Sequence, residues 1–146
     1  MPTSDFTPDT ADVAAIMWAR TADEHGETGS FDDDTRPTAA TVEAIIDQAA
    51  DYVAARTSED LPDRLHSLAQ QAVGYRVAMI VENSFYPEQA ENQDSAYERY
   101  RALFEDALQA LLGEYRDGIG SVQRAVMSVP LVSPLTAFVD EEDDDE

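Results

Sequence analysis

The sequence predicts an all-α protein, a small four-helix bundle followed by an extended C-terminal arm and an acidic disordered tail. Three observations predict this architecture. Apolar residues recur at helical spacings of three and four in four separate segments of the 146-residue chain. A valine-rich stretch with two prolines follows the fourth segment and leaves room for a short β segment. The last seven residues are all acidic.

The first two predicted helices are separated by a polar loop. The first helix extends over about residues 7–22, with Arg20 on its polar side, and the acidic loop 23–36 follows it. The second helix begins with Thr38 as its cap and ends near Arg56. Its apolar side chains share one helix face: Val42, Ile45, Ile46, Ala49 and Val53.

The third predicted helix covers about residues 60–83, and the fourth opens with a capping box formed by Ser95 and Glu98. Gly113 or Gly118 is predicted to end the fourth helix, because glycine is favoured just past helix termini. The fourth helix carries the stripe Tyr97, Tyr100, Phe104, Leu108, Leu111 and Tyr115. Bulky side chains on or beside the four stripes are predicted to be core residues: Trp18, Tyr52, Met79 and Phe104.

Composition divides the chain into a helical bundle domain, 1–117, an extended arm, 118–139, and an acidic tail, 140–146. Within the arm, the fifteen residues 125–139 are uncharged and largely apolar. Exposed to water they would form an aggregation-prone patch, so they are expected to cover other protein surface. That surface is either the chain's own helices or a neighbouring subunit or partner, and the prolines and hinge glycines favour the second.

Seven apolar side chains of the arm are therefore predicted interface residues: Val122, Val126, Val129, Leu131, Val132, Leu135 and Phe138. The acidic tail is expected to keep this arm soluble until its partner arrives.

The charge of the chain excludes some functions. Thirty-one acids face nine bases, all of them arginine, for a net charge of −22. Such a surface repels nucleic-acid backbone and acidic membranes. The N-terminus lacks a signal-peptide pattern, and the longest uncharged stretch is too short and too interrupted by proline to span a bilayer. We therefore expect no membrane association.

The sequence offers little for catalysis. There is no cysteine, and His66 and Ser67 are adjacent in a predicted helix, where neighbouring residues do not face each other. The chain has neither a glycine-rich phosphate loop nor a paired-histidine zinc motif. The run 32–34 is acidic but lacks the alternating ligand spacing of a calcium loop. We expect no enzymatic activity, no cofactor and no dedicated metal site.

Five features follow one another along the chain: the run Asp-Thr-Arg-Pro-Thr at 34–38, the apolar helix 42–53, Leu-Pro at 61–62, the run Glu-Asn-Ser-Phe-Tyr-Pro-Glu-Gln at 82–89, and Ser-Ala-Tyr at 95–97. Their order and spacing resemble the head-to-tail connector (adaptor) proteins of tailed bacteriophages, particularly those of actinobacterial phages. The resemblance covers roughly residues 10–116. The extreme charge and the acidic tail depart from the typical member of that family.

The resemblance implies a helical bundle repeated as a homo-oligomeric ring, usually a dodecamer, docked on the portal protein. Genomic DNA would pass through the channel without specific binding, and a tail-completion or stopper protein would bind below. The chain would then reside in the neck of the virion, between capsid portal and tail, and in the host cytoplasm during assembly. A channel wall of negative charge would let DNA slide without adhering.

Two other functions remain open on the sequence alone. An acidic regulator that mimics DNA and occupies a nucleic-acid enzyme would account for the net charge, and its binding should weaken at high salt. A small folded protein of a halophile with an unrelated binding role would instead unfold when salt is withdrawn.

Overall fold

A computed structural model of the chain describes residues 5–21, 29–87 and 95–127, with side chains as far as Ile119. It contains five helices: α1 (Thr10–Ile16), α2 (Trp18–Thr21), α3 (Ala39–Ala54), α4 (Asp63–Phe85) and α5 (Ala96–Met127). The described ranges contain no β-strand. The predicted helical class is therefore confirmed, and each of the four predicted helices is present, the first of them divided in two at Met17.

The N-terminal segment packs into the core before the first helix begins. Asp9 caps α1 through a reciprocal pair of hydrogen bonds with Asp12, 2.8 and 3.1 Å long. Phe6 precedes this cap and is fully buried, as are Val13 and Met17 on the helix side. Phe6 therefore extends the core beyond the residues that helical periodicity can identify.

Helix α3 begins and packs as its sequence predicts. The Thr38 side chain accepts a hydrogen bond from the Thr41 backbone N–H, which confirms the predicted cap. Most of the predicted stripe lies in the core, where Val42, Ile46, Ala49 and Val53 are buried.

Helix α4 lies at the centre and packs against α1, α3 and α5. Its core residues occur on several sides of the helix, as expected for an element enclosed by three others: Leu65, Ala69, Ala72, Val73, Val77, Ala78 and Val81. Gly74 allows the close approach of α1, because a Cβ there would lie 2.5 Å from the Ile16 Cδ1 atom.

Helix α5 runs antiparallel to α4. Arg64 near the start of α4 contacts Glu114 late in α5, with 3.4 Å between Nη1 and Oε2. Arg76, further along α4, contacts Phe104 early in α5. Phe104 and Leu111 are buried against the core, with Tyr100 and Tyr115 partly buried beside them. The predicted stripe of this helix is thus the surface by which it packs.

The predicted end of the fourth helix at Gly113 or Gly118 is wrong, because α5 continues through both glycines to Met127. Residues 118–127, assigned to an extended arm, are helical instead. A glycine inside a helix costs only about 1 kcal/mol relative to alanine, which packing against α4 and the flanking helix-forming residues can outweigh. The rest of the predicted arm, 128–139, and the acidic tail, 140–146, lie outside the described residues.

The four bulky side chains predicted to be core residues have different environments. Phe104 is buried, and Tyr52 and Met79 are partly buried. The prediction for Trp18 is wrong, because this side chain is 50 % exposed. Met17, at the break between α1 and α2, is fully buried, whereas Trp18, the first residue of α2, lies at the surface.

The two glycines of α5 allow a matched test of this packing. Gly113→Ala is expected to stabilise the protein by about 0.5–1 kcal/mol, because alanine loses less backbone entropy in a helix and a Cβ there meets nothing within 4 Å. Gly118→Ala should gain less, because its Cβ would meet the Arg64 guanidinium. Urea unfolding of both variants measures the difference, and equal gains would contradict this position of Arg64.

Candidate assembly surface

Helix α5 extends beyond the helix on which it packs. It has 32 residues against 23 in α4, and the two are antiparallel. Arg64, the second residue of α4, reaches Gly118, so residues 119–127 continue past the start of α4. At 1.5 Å per residue this projection is about 13 Å long. Ile119, at its base, is 43 % exposed.

The apolar periodicity of α5 continues in the sequence of the projection. Val122 and Val126 follow Leu111 and Tyr115 by eleven residues each, which is close to three full helical turns. Their positions therefore fall on the same helix face as the side chains that pack against α4. Because α4 begins at Asp63, it does not extend along this part of α5.

Two of the seven predicted interface residues lie within a described helix. Val122 and Val126 belong to α5. The other five lie outside the described residues: Val129, Leu131, Val132, Leu135 and Phe138. The helical form of residues 118–127 was missed because two glycines and the β-branched valines favoured an extended chain.

A second feature is a buried ion pair that joins α2 to α4. Arg20 donates from Nε and Nη2 to the two carboxylate oxygens of Glu82, both at 2.9 Å. Glu82 is 2 % exposed, and its carboxylate raises the pKa of the Arg20 guanidinium. The sequence pattern places Arg20 on the polar side of its helix, and the structure shows this side chain partly buried against Glu82. The available signal was Glu82 itself, a lone acid at the end of the apolar half of α4.

The ion pair belongs to a larger cluster that holds three parts of the chain together. The Arg20 guanidinium stacks on the Tyr86 ring, with Cζ 4.0 Å from the ring centroid. The Tyr86 hydroxyl donates to the Arg36 carbonyl at 2.9 Å. Two of the five segments that resemble the connector family, 34–38 and 82–89, are thus in contact through Tyr86 and Arg36.

Tyr100 adds α5 to this cluster and makes its stability depend on pH. The Tyr100 hydroxyl donates to the Ile16 carbonyl at 3.0 Å, and burial, followed by the Glu82 carboxylate, raises its pKa above the ordinary 10.0. The folded state holds this proton more tightly than the unfolded chain. The stability from Tyr100 is therefore complete below about pH 10 and decreases as the pH rises through the folded pKa.

Tyr100→Phe is expected to flatten the loss of stability above about pH 10, and to cost about 1 kcal/mol at neutral pH through the lost hydrogen bond. Urea unfolding from about pH 8 to about pH 11 measures both effects across the ordinary range of tyrosine ionisation. Tyr97→Phe on the same helix is the control. A variant with the same alkaline slope as the native chain would contradict the assignment to Tyr100.

An acidic cleft of about 520 Å³ lies between the N-terminal segment and α3. Four carboxylates line it, those of Asp5, Asp9, Glu43 and Asp47. Within the described ranges, no group of three or more histidine, aspartate or glutamate side chains is placed to hold a metal ion. The His66 side chain is partly buried, and its Nε2 atom lies 2.8 Å from the Leu61 carbonyl oxygen.

None of the helices described is both long enough and apolar enough to cross a membrane. Comparison of the chain with protein-family models, with curated proteins and with solved structures gave no match.

Proposed function

We propose that this chain is a structural subunit of the head-to-tail connector of a tailed bacteriophage. In this proposal the α-helices form the subunit body, a four-helix bundle, and the projecting end of α5 reaches another subunit. Copies assemble into a dodecameric ring that docks on the portal protein and lines the DNA channel towards the tail. The protein has a structural role in the virion neck and is not an enzyme.

The observation that carries the proposal is the projection of α5. Apolar residues at positions 122 and 126, in a helix that continues past the start of α4, give a highly charged chain a means of joining another polypeptide. In a closed ring each subunit presents two different surfaces to its two neighbours. A helix that projects from one subunit onto the body of the next, or onto the portal, supplies one of those surfaces.

The cluster around Glu82 supports the family resemblance in a second way. The two motif segments are separated by about fifty residues in the sequence, yet Tyr86 and Arg36 share a hydrogen bond. Motifs that jointly build one structural element indicate a shared fold more strongly than two unconnected short runs. The acidic surface, with its net charge of −22, suits a channel wall along which DNA slides without adhering.

The test is co-expression of the full chain with the portal protein encoded by the same genome. We expect a complex whose mass corresponds to twelve copies of this chain on one portal ring, measured by native mass spectrometry. The chain alone can remain monomeric, because assembly on the portal is sufficient for the proposed function. Failure to associate with the portal, alone or with the tail-completion protein added, would overturn the proposal.

A second candidate is an acidic regulator that mimics DNA, and the carboxylate-lined cleft beside the N-terminal segment favours it. Such a regulator would bind a nucleic-acid enzyme through its acidic surface, with an affinity that falls steeply with salt. The apolar positions 122 and 126 would then be dispensable for binding. A pull-down that recovers a nucleic-acid enzyme, insensitive to charge introduced at those positions, would favour this function.

A further inference from the structure

Two arginines stack on one tyrosine ring where α3, α4 and α5 meet. The Arg56 Cζ lies 3.4 Å from the centroid of the Tyr52 ring, and the Arg76 Cζ lies 3.5 Å from it. Two guanidiniums cannot occupy the same side of a ring at these distances, so they lie on opposite faces. The Phe104 ring flanks the group, with its centroid 6.0 Å from that of Tyr52.

These two neighbouring arginines have no carboxylate partner among the described residues. Arg20, Arg64 and Arg101 each pair with a glutamate, but no carboxylate in the described ranges lies within 4.0 Å of Arg56 or Arg76. The Arg76 Nε atom is buried and has no hydrogen-bond partner among the described residues. In a chain with 31 acids against nine arginines, an adjacent unpaired set of cations is unexpected.

The environment of Arg76 favours an anion. Burial lowers the pKa of the Arg76 guanidinium, Tyr52 raises it, and the positive charge of Arg56 lowers it again. Arg56 is held in place by donating from Nη1 to the Tyr52 carbonyl at 3.1 Å. Two fixed like charges, one of them partly desolvated, are stabilised by carboxylates that bind both of them.

We propose that Arg56 and Arg76, with Tyr52 between them, form a carboxylate-binding site, and that its ligand is the acidic run 140–146 of the same chain. The two Cζ atoms are at most about 7 Å apart. Alternate residues of an extended chain are about 6.7 Å apart and point to the same side. A run of consecutive acids therefore offers one carboxylate to each guanidinium at matching spacing.

The run can reach the site from the end of α5. Phe104, beside Arg76, precedes Met127 by 23 residues of helix, a distance of about 35 Å. The thirteen residues from Met127 to Asp140 span up to about 44 Å when extended. Repulsion from the acidic remainder of the surface is screened beyond about 8 Å at physiological salt, whereas the arginine contacts are direct.

The chain contains no cysteine, so Ala137→Cys provides a unique position for a nitroxide spin label in the full-length protein. Paramagnetic relaxation of backbone amide signals then reports which residues the C-terminal run approaches. We expect the amides around Tyr52, Arg56 and Arg76 to lose most of their intensity at low salt and to regain it at about 1 M salt, where the Debye length is about 3 Å.

The Arg56→Gln/Arg76→Gln variant should lose this attenuation. The matched control is Arg99→Gln/Arg116→Gln, which removes the same charge from exposed positions of α5. This control should show the same attenuation as the labelled protein without these changes. Arg56→Gln alone, at an exposed position, reports on the site if loss of Arg76 disturbs folding. The proposal would be overturned if the labelled Ala137→Cys protein, with Arg56 and Arg76 intact, showed no attenuation at these amides. It would also be overturned by attenuation that survives Arg56→Gln/Arg76→Gln, or that occurs only between labelled and unlabelled copies in a mixed sample.

Discussion

Arg20→Met is expected to cost about 3 kcal/mol of folding free energy, because it leaves a buried carboxylate without its cation. Glu82 is 2 % exposed and receives both of its hydrogen bonds from Arg20. Methionine keeps most of the packing volume of the arginine stem, so the loss reports on the charge. Thermal unfolding should show a melting temperature lower by roughly 10 °C for a domain of this size.

Two further variants distinguish a buried ion pair from simple loss of contacts. Arg20→Met combined with Glu82→Leu should recover most of the stability, because an apolar pair carries no desolvation cost. Arg101→Met removes exposed pairs with Glu98 and Glu105 and should leave the stability nearly unchanged, because exposed ion pairs contribute little. If Arg20→Met cost no more than Arg101→Met, the proposed role of the Glu82 cluster in joining α2, α4 and α5 would be wrong.

Val122→Asp with Val126→Asp is expected to abolish assembly on the portal while leaving the subunit folded. Both positions lie on the α5 projection past the start of α4, so α4 does not extend beside them. Fully burying a valine side chain contributes about 2 kcal/mol, and a charged side chain at the same position forfeits that contribution. Two changes together would weaken association roughly a thousandfold.

Gln123→Asp with Met127→Asp provides the control for this variant. It adds two charges with the same spacing on the same helix, one residue further along and therefore about 100° round the axis. Circular dichroism should show native helix content for both variants. Native mass spectrometry with the portal should show that the control assembles and that the valine variant does not. Equal loss of assembly would mean that charge anywhere on the projection is harmful, and the assigned face would be wrong.

The parts of the fold that depend on local pattern could be predicted from the sequence. The stripe of α3 and the stripe of α5 follow from a period of 3.6 residues, and Thr38 caps α3 as its position suggests. The end of α5 could not be predicted in this way. Gly118 resembles a helix terminator, yet the helix continues through it, because the packing of α5 on α4 and its helix-forming neighbours outweigh the modest cost of a helical glycine.

The groups that matter most for the candidate sites depend on contacts between distant residues. Arg20 and Glu82 are 62 positions apart, and neither residue carries a local signal that identifies the other. Tyr52 and Arg76 come from different helices, so their stacking requires the arrangement of α3 on α4. Val122 and Val126 were predicted to be interface residues for their apolar character, but their common helix face follows from the structure of α5.

The central claim is that the projecting end of α5 is buried against another polypeptide. A cryo-electron microscopy reconstruction of the chain assembled on its portal tests this most directly. The account predicts that Val122 and Val126 contact a neighbouring subunit or the portal around a closed ring. A reconstruction in which both valines face solvent, or pack only on helices of their own chain, would contradict it.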